Sequence, residues 1–268
     1  MADLRAMIGA AKAGSGAFST NFLLTDAAIE PAVRAGNVFA LASDGAVVLL
    51  RRDPLFDRLY YAAADASRLA VALSRLELPP SGALVTDLIG RREEVTPWMT
   101  QFEEAGFSSR ATILRMQRLL SEAPPVENRD PEVEVAEERD AEDVRAVIAN
   151  GFDEFVDQIP SIAEIRRAAS LGTILLVRDS GRIAGLLFYD RVGQTTVCRY
   201  WVVRPEYQGR GRDVKLMRRY WQDCRECRRF MLWVRQSNSH ALLIYKWYGY
   251  KLDSIIDVVM IKRRFAIM

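Results

Sequence analysis

The chain has 268 residues, of which 50% are hydrophobic and 27% are charged, and its formal net charge is +2 at pH 7. A chain of this length suits two domains of ordinary size, and its apolar content excludes disorder of the whole chain. The small net charge argues against an extended nucleic-acid surface, although residues 199–229 carry ten basic side chains against four acidic ones.

The first half of the chain shows strand and helix patterns between residues 37 and 106. Residues 37–42 and 47–52 are predicted to form a hairpin. The patterns that follow predict a strand at 58–62, a helix at 67–76, a strand at 83–89 and a helix that leads to Gly106.

A proline-rich segment separates this half from the next. Residues 121–132 contain three prolines among polar residues, which interrupts both helical and strand patterns. We therefore predict one domain at residues 1–120, a linker at 121–131 and a second domain at 132–268.

The second half gives a clearer order of elements. In chain order, the patterns predict a strand at 132–138, a helix from Asp140, a loop at 152–161, a helix at 162–170, strands at 173–178, 183–190 and 195–203, a helix at 214–224, a strand at 230–235, a helix from Asn238 or Ser239 to Tyr248, and a strand at 255–262. Hairpin-connected strands followed by a strand, loop, helix and strand unit predict an α/β protein with a mixed sheet, of the α+β kind.

The two halves repeat this order of elements. Their closing segments also align, because residues 102–107 precede a strand that contains Met116, and residues 245–250 precede a strand that contains Met260. We interpret the repetition as an internal duplication.

A glycine-containing loop joins a predicted strand to a predicted helix at residues 203–213. Gly209 and Gly211 let the backbone approach a ligand closely, and the N–H groups of the first helical turn favour an anion. Arg210 and Arg212 add mobile positive charge. A pyrophosphate therefore fits this loop.

The segment Val-x-Pro-x-Tyr-Gln-Gly-x-Gly resembles the signature of the GCN5-related N-acetyltransferases (GNAT), whose Q/R-x-x-G-x-G/A segment holds the pyrophosphate of acetyl-CoA. Gln208 and Gly211 match that signature. A second landmark of the family is present as Asn238, Ala241, Tyr245, Gly249 and Tyr250. The resemblance covers residues 132–264 and implies two tandem GNAT-like acyl-CoA N-acyltransferase domains, with a degenerate N-terminal copy.

The resemblance also implies residue roles. Acetyl-CoA would be held by Gln208, Gly209, Arg210, Gly211, Arg212 and Asp213, with Asn238 and Ala241 beside it. Its pantetheine arm would lie between splayed strands at 195–203 and 230–235, and a backbone N–H of Trp201, Val202 or Val203 would polarise the thioester carbonyl. Tyr245 would protonate the leaving thiolate, since a phenol has a pKa of about 10, above that of a thiol. The alternative for Tyr245 is an aromatic residue on the buried face of a helix.

Position 213 departs from the family pattern, because it is Asp where the family has Gly or Ala. An extra carboxylate near a pyrophosphate is expected to weaken binding unless it points outward or pairs with Arg210, Arg212 or Lys215.

No residue stands out as the base for the incoming amine. The strand at 195–203 lacks a carboxylate where many relatives carry one, so the proton goes to water or to Asp190, Asp153, Glu154 or Asp157. The acidic loop at 152–160 lies where the acceptor-binding loop of the family falls, and it would suit a cationic amine. It is equally interpretable as a solvated loop.

Several other residues have a structural interpretation beside a functional one. His240 is interpreted as a surface residue at a helix start rather than a base. Trp201 and Trp233 either shape an acyl or acceptor pocket or belong to the core. Cys224 and Cys227 form a CxxC pair without further ligands, so no metal is expected. A solvated helix face, rather than a nucleic-acid site, is predicted for Arg218, Arg219, Arg225, Arg228 and Arg229.

The first domain lacks the groups that carry the proposed chemistry. Residues 60–67 pass from strand to helix without a glycine loop, and Phe102 stands where Tyr245 does. We predict a structural or acceptor-binding role for this domain.

The predicted function is an acyl-CoA-dependent N-acyltransferase that moves an acetyl group to an amine of a small molecule, peptide or carrier-bound amino acid. The alternative is a non-catalytic acyl-CoA-binding sensor or interaction module. We expect no nucleic-acid or membrane partner and a monomer or homodimer. No run of eighteen apolar residues and no targeting signal are found, so a cytoplasmic location is expected.

Overall fold

Two compact units make up the structure, and each is described by itself. A computed structural model gives the structure of residues 2–13, 17–77, 79, 82–119 and 129–263. The first unit takes Met1–Ile113 and Ser254–Met268, and the second takes Leu114–Asp253. The predicted division at 1–120, 121–131 and 132–268 stays a prediction, and residues 120–128 lie outside the described residues.

The first unit begins with two helices. In chain order its elements are α1 (Ala2–Ala13), β1 (Ser19–Thr20), α2 (Asp26–Arg34), β2 (Val38–Ser43), β3 (Ala46–Arg52), β4 (Asp57–Ala63), α3 (Ala66–Ser74), β5 (Ala83–Arg91), α4 (Arg92–Glu104) and the start of β6 (Ser108–Leu119). The elements predicted between residues 37 and 106 are present. No pattern indicated α1 or α2, since Pro31 interrupts the helical pattern of α2.

The sheet of the first unit changes from antiparallel to parallel pairing at β4. Strands β2, β3 and β4 form an antiparallel meander, and β4 pairs in parallel with β5 only at Asp57 and Arg58. The C-terminal strand β12 (Lys251–Arg263) pairs antiparallel with β5 from Ile255 to Arg263. In this spatial grouping the last strand, from Ser254 onward, belongs with the first unit, where it is hydrogen-bonded to β5.

An interacting set of three charged side chains lies buried in this sheet, beside the equally buried Asp57. Arg58 is 1% exposed, Asp87 5% and Asp257 8%, and Arg58 Nη1 lies 2.6 Å from Asp87 Oδ2. Burial raises the pKa of Asp257 well above its usual range, and the neighbouring Asp87 carboxylate raises it further, against an opposing effect of Arg58. One guanidinium therefore lies in the field of two carboxyl groups, and burial favours the protonated form of Asp257.

Replacing Asp257 with asparagine is expected to stabilise the first unit at pH 8 by about 1 to 3 kcal/mol. Because the folded pKa of Asp257 is raised above its unfolded value, ionisation costs no stability below the unfolded pKa, and stability is lost as the pH rises from the unfolded pKa toward the raised folded pKa. Urea unfolding at pH 4 and pH 8 measures this. Equal stability of the wild type and variant at pH 8 would contradict the assignment.

The second unit contains the remaining elements. In chain order these are the end of β6, β7 (Val133–Val135), α5 (Ala141–Gly151), α6 (Ile162–Ser170), β8 (Ile174–Asp179), β9 (Arg182–Val192), β10 (Thr195–Val203), α7 (Arg212–Asp223), β11 (Arg229–Arg235), α8 (Ser239–Trp247) and the start of β12. Short 3-10 helices occupy Glu138–Asp140 and Pro205–Tyr207. The predicted elements are confirmed, and residues 152–161 form the predicted irregular loop.

A mixed sheet lies between two helical layers in this unit. Its strand order is β6, β11, β10, β9, β8 and β7, with β10 antiparallel to β9 and parallel to β11. On one face, α5 and α6 pack on β8, β9 and β10. On the other, α7 packs on β8 to β11, and α8 lies against the same cluster. The mixed α/β fold class is therefore confirmed.

Local signals in the sequence set the ends of the helices. Ser161 begins α6 with a reciprocal capping box, in which its Oγ accepts from Glu164 N–H at 3.2 Å and its own N–H donates to the Glu164 carboxylate at 2.8 Å. Gly249 follows α8 at a φ of +82°, the left-handed conformation that glycine adopts without strain. None of the helices in the described part of the chain is long and apolar enough to cross a membrane.

Candidate active site

The connection between β10 and α7 is an open glycine loop. Gln208 folds back so that its Nε2 donates to Val203 O at 3.0 Å. Gly209 and Gly211 have φ values of +74° and +70°, and no atom lies within 4 Å of the position that a Cβ would occupy on either. The loop therefore presents bare backbone to solvent, as the approach of a phosphate group requires.

The start of α7 is not capped by a side chain. Its N-cap is Gly211, so the N–H groups of the first turn and the positive end of the helix dipole are left for a ligand. In the first unit the corresponding helix, α3, follows β4 after two residues, and the Asp65 carboxylate caps it by accepting from Arg68 N–H at 2.9 Å. Of these two helices, only α7 thus has an open start behind a glycine loop.

The two loop arginines differ in mobility. Arg212 is ion-paired with Asp179 and donates to Tyr207 O at 3.2 Å, with its side chain 14% exposed. Arg210 is 64% exposed and lies 3.6 Å from the same Asp179 carboxylate. The expectation of mobile charge at both positions is therefore wrong for Arg212, which fixes the loop. Nothing in the sequence around Asp179 indicated this role.

Asp213 lies in the first turn of α7 without an ion pair in the described part of the chain. All three of its predicted partners are engaged elsewhere, since Arg210 and Arg212 pair with Asp179 and Lys215 lies 2.6 Å from Glu132. The charge of Asp213 acts on the pKa of Tyr248 instead. Burial, reinforced by the Asp213 carboxylate, raises the pKa of Tyr248 to about 12. The carboxylate therefore adds uncompensated negative charge near the helix start.

Strands β10 and β11 separate beyond their first residues. Their parallel pairing ends at Cys198 and Leu232, and the pairing of β10 with β9 shifts register between Cys198 and Tyr200. Such a bulge re-aims the strand. Past it, one edge of β10 is open, as predicted for the splayed strands.

Strand alternation decides which backbone groups face this opening. Arg204 N–H donates to Ala184 O at 2.9 Å, so every second residue of β10 points its backbone to β9. Val202 therefore faces β9, whereas Trp201 and Val203 face the open edge. Of the three predicted polarising N–H groups, those of Trp201 and Val203 therefore face the opening, and the Trp201 side chain also contacts Tyr245.

Helix α8 places Tyr245 beside Trp201. The ring centroids of Tyr245 and Trp201 are 5.7 Å apart, and burial raises the pKa of Tyr245. No hydrogen bond to the Tyr245 hydroxyl is found among the described residues. Asn238 begins this helix by accepting from Ala241 N–H at 3.0 Å, so the predicted pair Asn238 and Ala241 first serves to set the start of α8.

The two strand tryptophans lie on opposite faces. Trp201 packs with the α7 and α8 cluster, against Tyr245 and Tyr248. Trp233 is partly buried outside both clusters and lies under Arg115, whose guanidinium carbon is 5.8 Å from its ring centroid. Trp201 therefore belongs to the wall that holds Tyr245, and Trp233 to the opposite side.

The acidic loop at 152–160 is pinned to the sheet. Asp157 pairs with Arg235 and accepts from Asp153 N–H at 2.8 Å. Tyr200 Oη lies 2.8 Å from the carbonyl oxygens of Asp157 and Gln158. The loop charge is thus partly neutralised by Arg235, which sequence patterns did not single out.

Asp190, one of the candidate bases, has a raised pKa. Burial raises its pKa, Arg199 opposes this at 3.6 Å, and Glu164 adds to it. Pairing places Asp190 opposite Val197, three residues before Tyr200, which is about 10 Å along the strand. Any proton that reaches Asp190 from this opening must pass through water.

The remaining predicted residues have structural surroundings. His240 is exposed, and Cys224 and Cys227 are buried thiols, with Cys224 Sγ 3.6 Å from Thr196 Oγ1. Arg219 is only 9% exposed and lies 2.9 Å from Asp223, so the predicted solvated arginine face is wrong at that position. Among the described residues, no three His, Cys, Asp or Glu side chains form a group that could hold a metal ion.

The fold and the site together define a class of protein. A mixed sheet with a bulged and splayed strand pair, an uncapped helix behind a glycine loop and a tyrosine at the opening suit a ligand that joins a phosphate group to an extended arm. Residues 118–250 match the family model of the acetyltransferase (GNAT) family. This domain of the chain belongs to that family, which supports acyl-CoA N-acyltransferase activity in general.

Solved structures show the same fold over most of the chain. A GCN5-related N-acetyltransferase from Sphaerobacter thermophilus gives a TM-score of 0.58 at 16% identity, over 87% of this chain and 85% of that one. An acetyltransferase of the GNAT family from Novosphingobium aromaticivorans gives a TM-score of 0.54 at 19% identity, over 88% of this chain and 95% of that one. A tandem GNAT protein from the clavulanic acid biosynthesis pathway gives a TM-score of 0.55 at 11% identity, over 93% of this chain and 84% of that one. No curated protein matches the chain significantly.

Proposed function

We propose that this protein transfers the acetyl group of acetyl-CoA to an amine. The observation that carries the proposal is the continuity of the second unit's site, in which the open helix start of α7 leads along the unpaired edge of β10 to Tyr245. The phosphates of acetyl-CoA would bind at the start of α7, and the pantetheine amides would pair with the open edge of β10. The thioester would then lie beside Trp201.

Each group then has one step to perform. The amine nitrogen attacks the thioester carbonyl carbon, and the Trp201 N–H stabilises the oxyanion that forms. The carbon–sulfur bond breaks, and the thiolate takes a proton from Tyr245. The raised pKa of Tyr245 keeps it protonated at neutral pH, so donation requires a thiolate whose own pKa is raised by burial in the same site. Tyr245 regains its proton from solvent once the thiol has left. The proton on the attacking nitrogen leaves the tetrahedral intermediate through water.

Asp190 is our proposed final acceptor of that proton. Its raised pKa makes it a better base than an ordinary aspartate, and the distance along the strand assigns the transfer to a water chain. Asp157 is less available for this role, because its carboxylate is already ion-paired with Arg235.

The rate of acetyl transfer is expected to fall as the pH drops through the raised pKa of Asp190, because the carboxylate is the active form. Asp190→Asn is expected to lower kcat by about tenfold and to remove that limb of the pH–rate profile. The exposed Asp143→Asn serves as a control and should leave the profile unchanged. An identical profile for the wild type and Asp190→Asn would exclude Asp190 and leave water as the base.

Thiol release from acetyl-CoA in the presence of a panel of amines tests the proposal itself. Amine-dependent release above the rate of hydrolysis is the expected result. The alternative, a non-catalytic acyl-CoA sensor, is favoured by the uncompensated Asp213 carboxylate. Tight binding of acetyl-CoA without turnover of any amine would establish the sensor instead.

A further inference from the structure

The first unit has a strand opening at the place that corresponds to the splayed strands of the second. In the first unit β4 is antiparallel to β3 and parallel to β5, and the parallel pairing ends at Arg58 and Val85. In the second unit β10 is likewise antiparallel to β9 and parallel to β11, and the parallel pairing ends at Cys198 and Leu232. In each unit, one edge of the central strand is therefore not hydrogen-bonded to the parallel neighbour beyond the first few residues.

In the first unit this edge is occupied by the chain itself. Strand β1 pairs antiparallel with the end of β4, with Ser19 opposite Ala63 and Thr20 opposite Ala62. The backbone of Tyr61, the preceding residue of β4, is hydrogen-bonded to Thr20 and Asn21. Its carbonyl accepts from Thr20 Oγ1 at 2.6 Å and from Asn21 N–H at 3.3 Å, and its N–H donates to Asn21 Oδ1 at 2.7 Å.

Asn21 also reaches the opposite wall of the opening. Its Nδ2 lies 3.0 Å from Asp87 O and 2.9 Å from Thr86 Oγ1 on β5, and 3.2 Å from Leu59 O on β4. The residue is 6% exposed. One side chain thus bridges both separated strands and satisfies buried backbone groups that the parting of the strands would leave open.

We propose that the open edge of β4 is a binding site for an extended peptide strand, and that Ser19 to Asn21 are its resident ligand. They fill the position that the acyl-CoA arm takes in the second unit, so each chain binds one acyl-CoA. The last statement rests on the proposed function of the second unit. It agrees with the Asp65 carboxylate at the start of α3, which repels a phosphate there.

Amide hydrogen exchange on the full-length protein tests the resident strand. The Tyr61 amide, bonded to the Asn21 side chain, is expected to be protected, and Asn21→Ala should speed its exchange by about ten- to hundredfold. Asn37→Ala, whose side chain makes no hydrogen bond in the described part of the chain, is the matched control. Exchange at Tyr61 that is fast in the wild type would overturn the assignment.

Titration of the wild type with acetyl-CoA separates this inference from the proposed function. Saturation at one acetyl-CoA per chain, with unchanged Tyr61 exchange, supports both. Two acetyl-CoA per chain, or release of Tyr61 protection by acetyl-CoA, would show that the strand is displaced and would overturn the inference. Protection of Tyr61 without any acetyl-CoA binding would instead remove the proposed function and leave the strand site standing.

Discussion

Replacing Gly211 with glutamate is expected to abolish acetyl-CoA binding. Gly211 has a φ of +70° and forms the N-cap of α7, so a side chain there is strained and begins where the phosphates would approach. The added carboxylate would face the same N–H groups and the same end of the helix dipole as the ligand. A thermal-shift titration, in which acetyl-CoA raises the melting temperature of the wild type, should show no shift for the variant.

Gly193→Glu provides a matched control for this substitution. Gly193 has a φ of +59° in the turn between β9 and β10, and it also has no atom within 4 Å of its Cβ position. The same residue change therefore imposes similar backbone strain away from the glycine loop, and the shift should be retained. A shift retained by Gly211→Glu as well would remove the loop from the binding site.

Asp213→Ala is expected to act in the opposite direction and to tighten acetyl-CoA binding. The Asp213 carboxylate lies in the first helical turn, and two of the cations that might have neutralised it pair with Asp179 and Glu132. A like charge near a phosphate costs binding energy that alanine would restore. Unchanged affinity in the same titration would mean that this carboxylate points away from the ligand.

The sequence predicted the second unit well because its signals are local. Glycines, a capping Asn238 and period-two strands act over a few residues, so the loop, α8 and the strands could be recognised. The splaying of β10 from β11 was implied only by the family resemblance. Local signals could not show which charged side chains are ion-paired. Arg212 and Arg219 look alike in a basic stretch, yet each is held by a carboxylate, one of them at the distant end of β8.

The first unit shows the limit of local patterns more clearly. Residues 19–21 have no hydrophobic alternation, and their role depends on Tyr61 and Asp87, forty and sixty-six positions away. The pairing of β12 with β5 is equally non-local, since Ile255 meets Arg91. Sequence order therefore predicts which elements form, whereas long-range pairing decides which unit each element completes.

Tyr245→Phe is expected to lower kcat for acetyl transfer by about a hundredfold and to leave acetyl-CoA affinity unchanged. Phenylalanine keeps the ring that packs at 5.7 Å from Trp201 and removes only the hydroxyl, which has no hydrogen-bond partner among the described residues. An interaction made with the developing thiolate appears in the rate and not in ground-state binding. Steady-state kinetics beside a binding titration measure the two separately.

Tyr248→Phe distinguishes a proton donor from a general effect of losing a hydroxyl in this aromatic cluster. Tyr248 also packs on Trp201, with ring centroids 5.6 Å apart, and burial likewise raises its pKa. Its variant should retain kcat within about twofold, because no proposed step uses its hydroxyl. Equal losses in both variants would assign Tyr245 to packing alone. A loss of kcat confined to Tyr245→Phe would place the leaving thiolate at the Tyr245 hydroxyl, where the open edge of β10 ends.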